Sequence, residues 1–157
     1  MLSKNRVNAN LGSVIAIPLP CGKYAFAKVY KDQDLGVYDF ISEKIEPLSV
    51  VSRHAIAFYQ GCTYKPIRSG LWPIIGEEPF PDENVAWAPP RASGVLPGMP
   101  IFPEMLQITF KGVLRHAKLN EVVGMDIATL AIDPETFIDE VVERLIKHDH
   151  TKYRISK

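Results

Sequence analysis

The sequence holds 157 residues, with 18 Lys and Arg balanced by 18 Asp and Glu, a hydrophobic content of 46% and a charged content of 23%. That composition is too apolar for intrinsic disorder, and a net charge of zero excludes whole-molecule attraction to a polyanion or an anionic membrane. A chain of this length removes roughly 70% of its unfolded surface from water, so one domain over residues 1–157 is expected to fold without a disulfide or a metal.

Residues 1–11 are polar and Asn-rich, with Val7 and Leu11 as inward anchors, and read as a flexible arm. They lack the apolar stretch of a secretory signal, and no later run approaches a membrane span, so a cytoplasmic protein is expected. From Gly12 to Phe40 the pattern is two hairpins in series. Val14, Ala16 and Ile17 precede a Pro20-Cys21-Gly22-Lys23 turn, with Gly22 as the residue of positive φ. Tyr24, Phe26, Val29 and Tyr30 form the second strand. After the polar Lys31-Asp32-Gln33-Asp34 connection, Leu35, Val37, Tyr38, Phe40 and Ile41 form the third, with Gly36 at a bulge or a close approach.

A second β-prone region is expected from Leu48, Val50 and Val51 through Ala55 to Tyr59, broken by Gly61 and the Lys65-Pro66 step. Nine of the 13 prolines then fall between Pro66 and Pro103, which excludes a long helix and confines strands to sheet edges. Yet this span carries Trp72, Ile74, Ile75, Phe80, Val85, Trp87, Leu96, Ile101 and Phe102, so parts of it must lie back on the core. Strands are expected over Met105–Phe110, at Val113 and Leu114, and through Met125–Ile132. The clearest helix signal follows: Asp133 as N-cap, Pro134 at the first helical position, Lys147 and His148 at the end, and Phe137, Ile138, Val141, Val142, Leu145 and Ile146 in one stripe. Residues 149–157 are expected to fray unless Tyr153 and Ile155 dock. The fold class is α+β and β-dominated: an antiparallel sheet, open or barrel-like, with a long Pro-rich loop and one C-terminal helix.

Candidate chemistry is sparse. Cys21 and Cys62 form no CxxC pair and read as free thiols, and neither sits at a helix N-terminus that would activate it. His54 precedes Cys62 by eight residues, a spacing in sequence that says nothing of geometry. His148 and His150 lie where a helix ends, with the wrong spacing for one helix face. Glu77, Glu78, Asp82 and Glu83 crowd four carboxylates into seven residues with no cation among them and no calcium-loop pattern. They read as either a solvated loop or a docking surface for a basic partner, with Trp72, Phe80 and Trp87 as apolar anchors. Tyr24, Phe26, Tyr30 and Tyr38 beside Lys23 and Lys28 could stack single-stranded nucleic acid, or could be a core face and its solvated back. The neutral net charge favours the second. No catalytic residue, metal or cofactor is expected.

The blocks Gly12–Leu19, Gly22–Val29 and Gly36–Asp39, followed by Leu71–Gly76 and Pro79, resemble the immunity protein 26 family of bacterial polymorphic toxin systems over roughly the first ninety residues. The resemblance implies a cytoplasmic, non-catalytic protein that binds and neutralises a cognate toxin, with no nucleic acid or membrane as partner. A small enzyme or ligand-binding β-barrel, with the Pro-rich segment as lid, is the alternative from another class. It requires perturbed ionisable groups gathered in one concave pocket.

Overall fold

The computed structural model describes residues 7–156. Strands β1 (Ser13–Pro18), β2 (Tyr24–Val29) and β3 (Asp34–Ser42) form the expected meander, and β4 (Ile56–Gly61) and β5 (Ile74–Glu77) complete an antiparallel sheet of order β4-β3-β2-β1-β5. The sheet is open, so the barrel-like option is not taken. β5, the strand from the Pro-rich span, lies at an edge, where missing N–H donors are tolerated. Gly22 turns the first hairpin at φ 82°. Gly36 is a close approach: a Cβ there would stand 2.6 Å from Tyr30 Cε1.

The two faces of this sheet carry separate clusters. Ile15, Ile17, Ala25, Ala27, Leu35, Val37 and Phe58 pack with Trp72, Phe137, Val141 and Leu145 on one side. Val14, Ala16, Phe26, Tyr38 and Val51 pack on the other. A second antiparallel sheet, order β6-β7-β8, is built from β6 (Arg91–Ser93), β7 (Gln107–Phe110) and β8 (Val113–His116), with its own cluster around Leu106, Ile108, Val122, Ile127 and Ile155.

Two β expectations are corrected. Leu48–Val51 is a helical turn, α1, because Pro47 starts it and only one side, through the buried Val51, faces the core. Pro66 likewise sits in a single turn, α2 (Lys65–Arg68), where its lack of an N–H is harmless. Residues 125–132 make no strand. A further turn, α3 (Leu119–Val122), precedes them, and they run between the sheets through isolated bridges of Ile127 to Ala92 and Ile132 to Cys62.

The C-terminal helix, α4 (Pro134–Val141), begins at Asp133, whose carboxylate accepts from the Thr136 N–H at 3.2 Å and its hydroxyl at 2.6 Å. Those bonds hold the Asp133 carboxyl below the usual carboxylate range. The helix continues as a wide π turn over Val142–Ile146, and His148 follows at φ 56°. Residues 149–156 are packed: Tyr153 and Ile155 are buried, and the Ile127 N–H donates to the Tyr153 carbonyl at 2.8 Å. Of the expected N-terminal arm, residues 1–6 lie outside the described residues, while the Val7 N–H donates to the Arg68 carbonyl at 3.0 Å and Ala9 packs on the core.

Side-chain ionic contacts join the two sheets. Arg91 meets Asp34 at 2.7 Å, both nearly buried. Arg144, 1% exposed, donates to Glu140 at 3.0 Å, to Asp126 at 2.8 Å and to His150 Nδ1 at 2.9 Å, while its guanidinium lies 4.2 Å from the Phe58 ring centroid. Gln60 donates to the other Glu140 oxygen at 2.9 Å. The helix stripe is therefore not purely apolar: Glu140 and Arg144 sit inside it, fully partnered as a buried pair must be.

Candidate partner-binding face

The segment from Glu77 to Trp87 lies across the outer end of the meander and is held at both ends by backbone. The Glu78 N–H donates to the Gly12 carbonyl at 2.8 Å, and the Lys31 N–H to the Ala86 carbonyl at 2.8 Å. The first contact needs a bare Cα, because a Cβ on Gly12 would meet the Glu78 oxygen at 2.7 Å. Between these clamps Asp82 accepts from the Asn84 N–H and starts a single turn over Glu83–Val85. Proline-limited backbone and short-range bonds thus fix a loop that has few ladder bonds of its own.

Side chains from β2 and β3 bed the loop. Tyr38 donates its hydroxyl to Glu78 at 2.9 Å, and Lys28 reaches the same carboxylate oxygen at 3.4 Å. Burial, with the Glu78 contact second, holds the Tyr38 phenol above its ordinary range. Lys28 Nζ also lies 4.2 Å above the Phe80 ring, and Phe80 stands edge-on to Tyr30 at 5.0 Å, which in turn meets Tyr59 at 5.1 Å. Lys31 bridges to Glu83 at 3.1 Å and lies 5.3 Å from the Trp87 ring centroid. Glu77 accepts from the Ser13 hydroxyl at 2.8 Å.

Five of the seven sequence-selected residues come together here: Glu78 and Phe80 meet at Lys28, Glu83 and Trp87 meet at Lys31, and Asp82 starts the turn between them. Glu77 turns to Ser13 on the other side of its strand. Trp72 does not join them. It is 1% exposed and its ring packs 5.7 Å from Phe137, so it is a core residue with no surface to offer. The acidic cluster is also less bare than its sequence, because Lys28 and Lys31 come from the neighbouring hairpin and lie outside any local window. Their signal was the basic and aromatic alternation along β2. Of the residues suggested for stacking bases, Phe26, Tyr30 and Tyr38 are buried, so no platform of exposed rings is formed.

The other candidate chemistry is dispersed. Cys62 is fully buried in the main core, and burial, assisted by the Asp133 charge, pushes its thiol up to about 12. His54 stacks on Phe40 at 4.1 Å, and Phe40 packs with the opposite cluster. A thiol held neutral without an adjacent base is not a nucleophile at neutral pH. His150 accepts from Arg144 through Nδ1, which takes that nitrogen out of any pair with His148. The larger concavity, about 350 Å³, lies between the first hairpin turn and the C-terminal helix, lined by Pro20, Cys21, Asp139, Glu143, Ile146 and Lys147, and the Pro-rich segment contributes nothing to it. A hollow of about 130 Å³ under Val95, Leu96 and Met99 is below the size of a substrate site. Among the described residues no group of three His, Cys, Asp or Glu side chains converges for a metal, and no helix is long and apolar enough to cross a membrane.

A family model described as Immunity protein 26 matches residues 10–90, a span that covers the whole five-stranded sheet and the acidic loop and ends one residue before β6. No curated protein and no solved structure matches.

Proposed function

The chain belongs to the immunity protein 26 family, and from that premise we propose that it is a cytoplasmic, non-catalytic antidote of a bacterial polymorphic toxin system, which binds a cognate toxin protein and blocks it. The observation that carries the reading is the match itself, whose span holds the five-stranded sheet and the acidic loop. The dispersal of Cys62 and His54 into opposite faces of the sheet supports a binder over a catalyst.

The proposed contact is the surface carrying Glu78, Phe80, Asp82, Glu83 and Trp87, with Glu77 at its edge. Its backbone is already fixed, so little entropy remains to be lost on binding, and Phe80 and Trp87 offer half-buried aromatic area. Carboxylates at the rim steer a basic target even when they are paired locally, because steering depends on the summed field. Glu78 props the loop through Tyr38 and Lys28, so the test uses the two carboxylates that stand furthest out. In stopped-flow mixing with the toxin, Asp82→Lys with Glu83→Lys should slow association about tenfold or more at low salt, with the difference shrinking as salt is raised. An association rate and salt slope equal to those of the parent chain, at an unchanged melting temperature, would place the contact elsewhere.

A further inference from the structure

β8 is an edge strand with neither face covered. All four of its residues are exposed, and no strand lies beyond it in the sheet order β6-β7-β8. Its pairing with β7 fixes which backbone groups are free. The Ala117 N–H donates to the Leu106 carbonyl at 3.1 Å, and the register runs Gln107 with His116, Ile108 with Arg115, Thr109 with Leu114 and Phe110 with Val113. Antiparallel ladders alternate, so residues 113, 115 and 117 bond inward, and the N–H and C=O groups of Leu114 and His116 point away from the sheet, where the His116 carbonyl accepts only a side-chain contact from Arg115 at 3.4 Å. By contrast β4, the last strand of the main sheet, is bridged on its outer side by main chain: the Ile132 N–H donates to the Gly61 carbonyl at 3.1 Å.

The surroundings of β8 are apolar and basic. Val113 and Leu114 on β8 and Phe110, paired with Val113 on β7, are exposed large apolar side chains. Adjacent exposed apolar groups on a strand edge mark an interaction surface. Lys111, Arg115 and Lys118 flank it, and Glu121 is already taken by Arg115 at 3.1 Å and the Lys118 N–H at 2.8 Å. A second copy of this chain fits poorly. The self-pairing that uses both outward residues, Leu114 opposite His116, puts the two-fold axis at Arg115 and sets that residue opposite its own copy, and like charges across strands are destabilising.

We propose that β8 is a strand-addition site for the partner protein, which supplies an extended apolar segment flanked by Asp or Glu. This rests on the immunity reading for the identity of the partner but not for the chemistry of the edge. The site lies outside the family-matched span, which ends before β6. Main-chain bonds to Leu114 and His116 give the added strand its register, Val113 and Leu114 receive alternate side chains, and Lys111 and Lys118 receive the acidic flanks.

The test is an amide NMR titration of the full chain with two synthetic peptides sharing a Val-Thr-Val-Thr core, one with aspartates on both flanks and one with lysines. The acidic peptide should shift the Leu114 and His116 amides and bind about tenfold or more tightly than the basic one. Leu114→Pro removes the outward N–H without touching the ladder to β7 and should abolish that binding, and Leu114→Glu, a milder exposed change, should weaken it about tenfold. Equal binding of the two peptides, shifts confined to other residues, or concentration-dependent dimers of the chain alone in sedimentation would each overturn the proposal. A toxin arm separates the two readings: if the parent binds no toxin but takes the acidic peptide, the immunity reading fails and the edge stands. If toxin binds parent and Leu114→Pro alike, the edge proposal fails.

Discussion

Replacing Arg144 with alanine is expected to cost about 3–5 kcal/mol of folding stability, because it leaves the Glu140 carboxylate buried and half-partnered while opening a gap beside Phe58. Arg144 is 1% exposed and is shared by three acceptors on three segments: Glu140 on α4, Asp126 before the bridges and His150 in the tail. Burial already holds the Glu140 carboxyl above its ordinary value, against the pull of Gln60 and Arg144, so losing the guanidinium removes both a hydrogen bond and the opposing charge. In a chain of this size such a loss lowers the melting temperature by roughly 10 °C. Replacing both partners, Glu140→Met with Arg144→Met, should recover a large part of the loss, since the buried charge goes with its partner. Thermal melts of the two single variants and the double one check this. An Arg144→Ala variant melting with the parent would mean the network does not hold the sheets together.

Within the same network His150 ties stability to pH. His150 gives its Nδ1 lone pair to Arg144, and burial together with the Arg144 and Arg154 charges keeps its pKa below the ordinary 6.5. As pH falls, the unfolded chain takes up this proton before the folded one. The contribution of the neutral ring is therefore complete above 6.5 and is lost progressively below it. Melts of the parent and the Arg144→Ala variant from about pH 8 to pH 5 should converge in that window.

Val141→Asp is expected to cost about 4 kcal/mol, enough to leave a substantial unfolded fraction at 37 °C in a domain of ordinary stability. Val141 is 0% exposed and packs with Phe137 and Leu145 against Ile15, Leu35 and Phe58. A carboxylate there has no unclaimed donor, since the nearby guanidinium of Arg144 is already occupied. Asp139→Ala, on the exposed side of the same helix, should change stability by less than about 0.5 kcal/mol. Circular dichroism with chemical denaturation measures both, and a soluble Val141→Asp variant with the parent's midpoint would mean α4 is not docked.

What could be read from the sequence was local. The meander follows from β-prone runs separated by the Pro20–Lys23 turn and the polar Lys31–Asp34 connection, and α4 follows from Asp133, Pro134 and the stripe of Phe137, Val141 and Leu145. Each signal lies within a short window that the final packing does not contradict. Leu48–Val51 and residues 125–132 failed for the opposite reason: β-branched composition without a partner strand does not make a strand, and tertiary position decided both. Glu140 and Arg144 were invisible because an i,i+4 ion pair on a helix ordinarily faces water, and only Gln60, Asp126 and Phe58, from distant parts of the chain, make burial tolerable. On the candidate face the loop residues were legible from their crowding, while Lys28 on β2 and Lys31 just after it were legible as basic residues but not as the partners of that loop. Trp72 was misplaced because its apolar neighbours gave no sign of which of them would turn inward.

On the proposed reading this chain acts by occupying a toxin and not by altering it. The direct measurement is a titration of toxin activity with the purified chain, taking as toxin the protein encoded beside it. Inhibition should rise linearly and end at one chain per toxin, and a Cys62→Ser and His54→Ala double variant that melts with the parent should give the same endpoint. Full inhibition at a small fraction of one equivalent, growing with time and lost in the double variant, would contradict the account and show a catalyst.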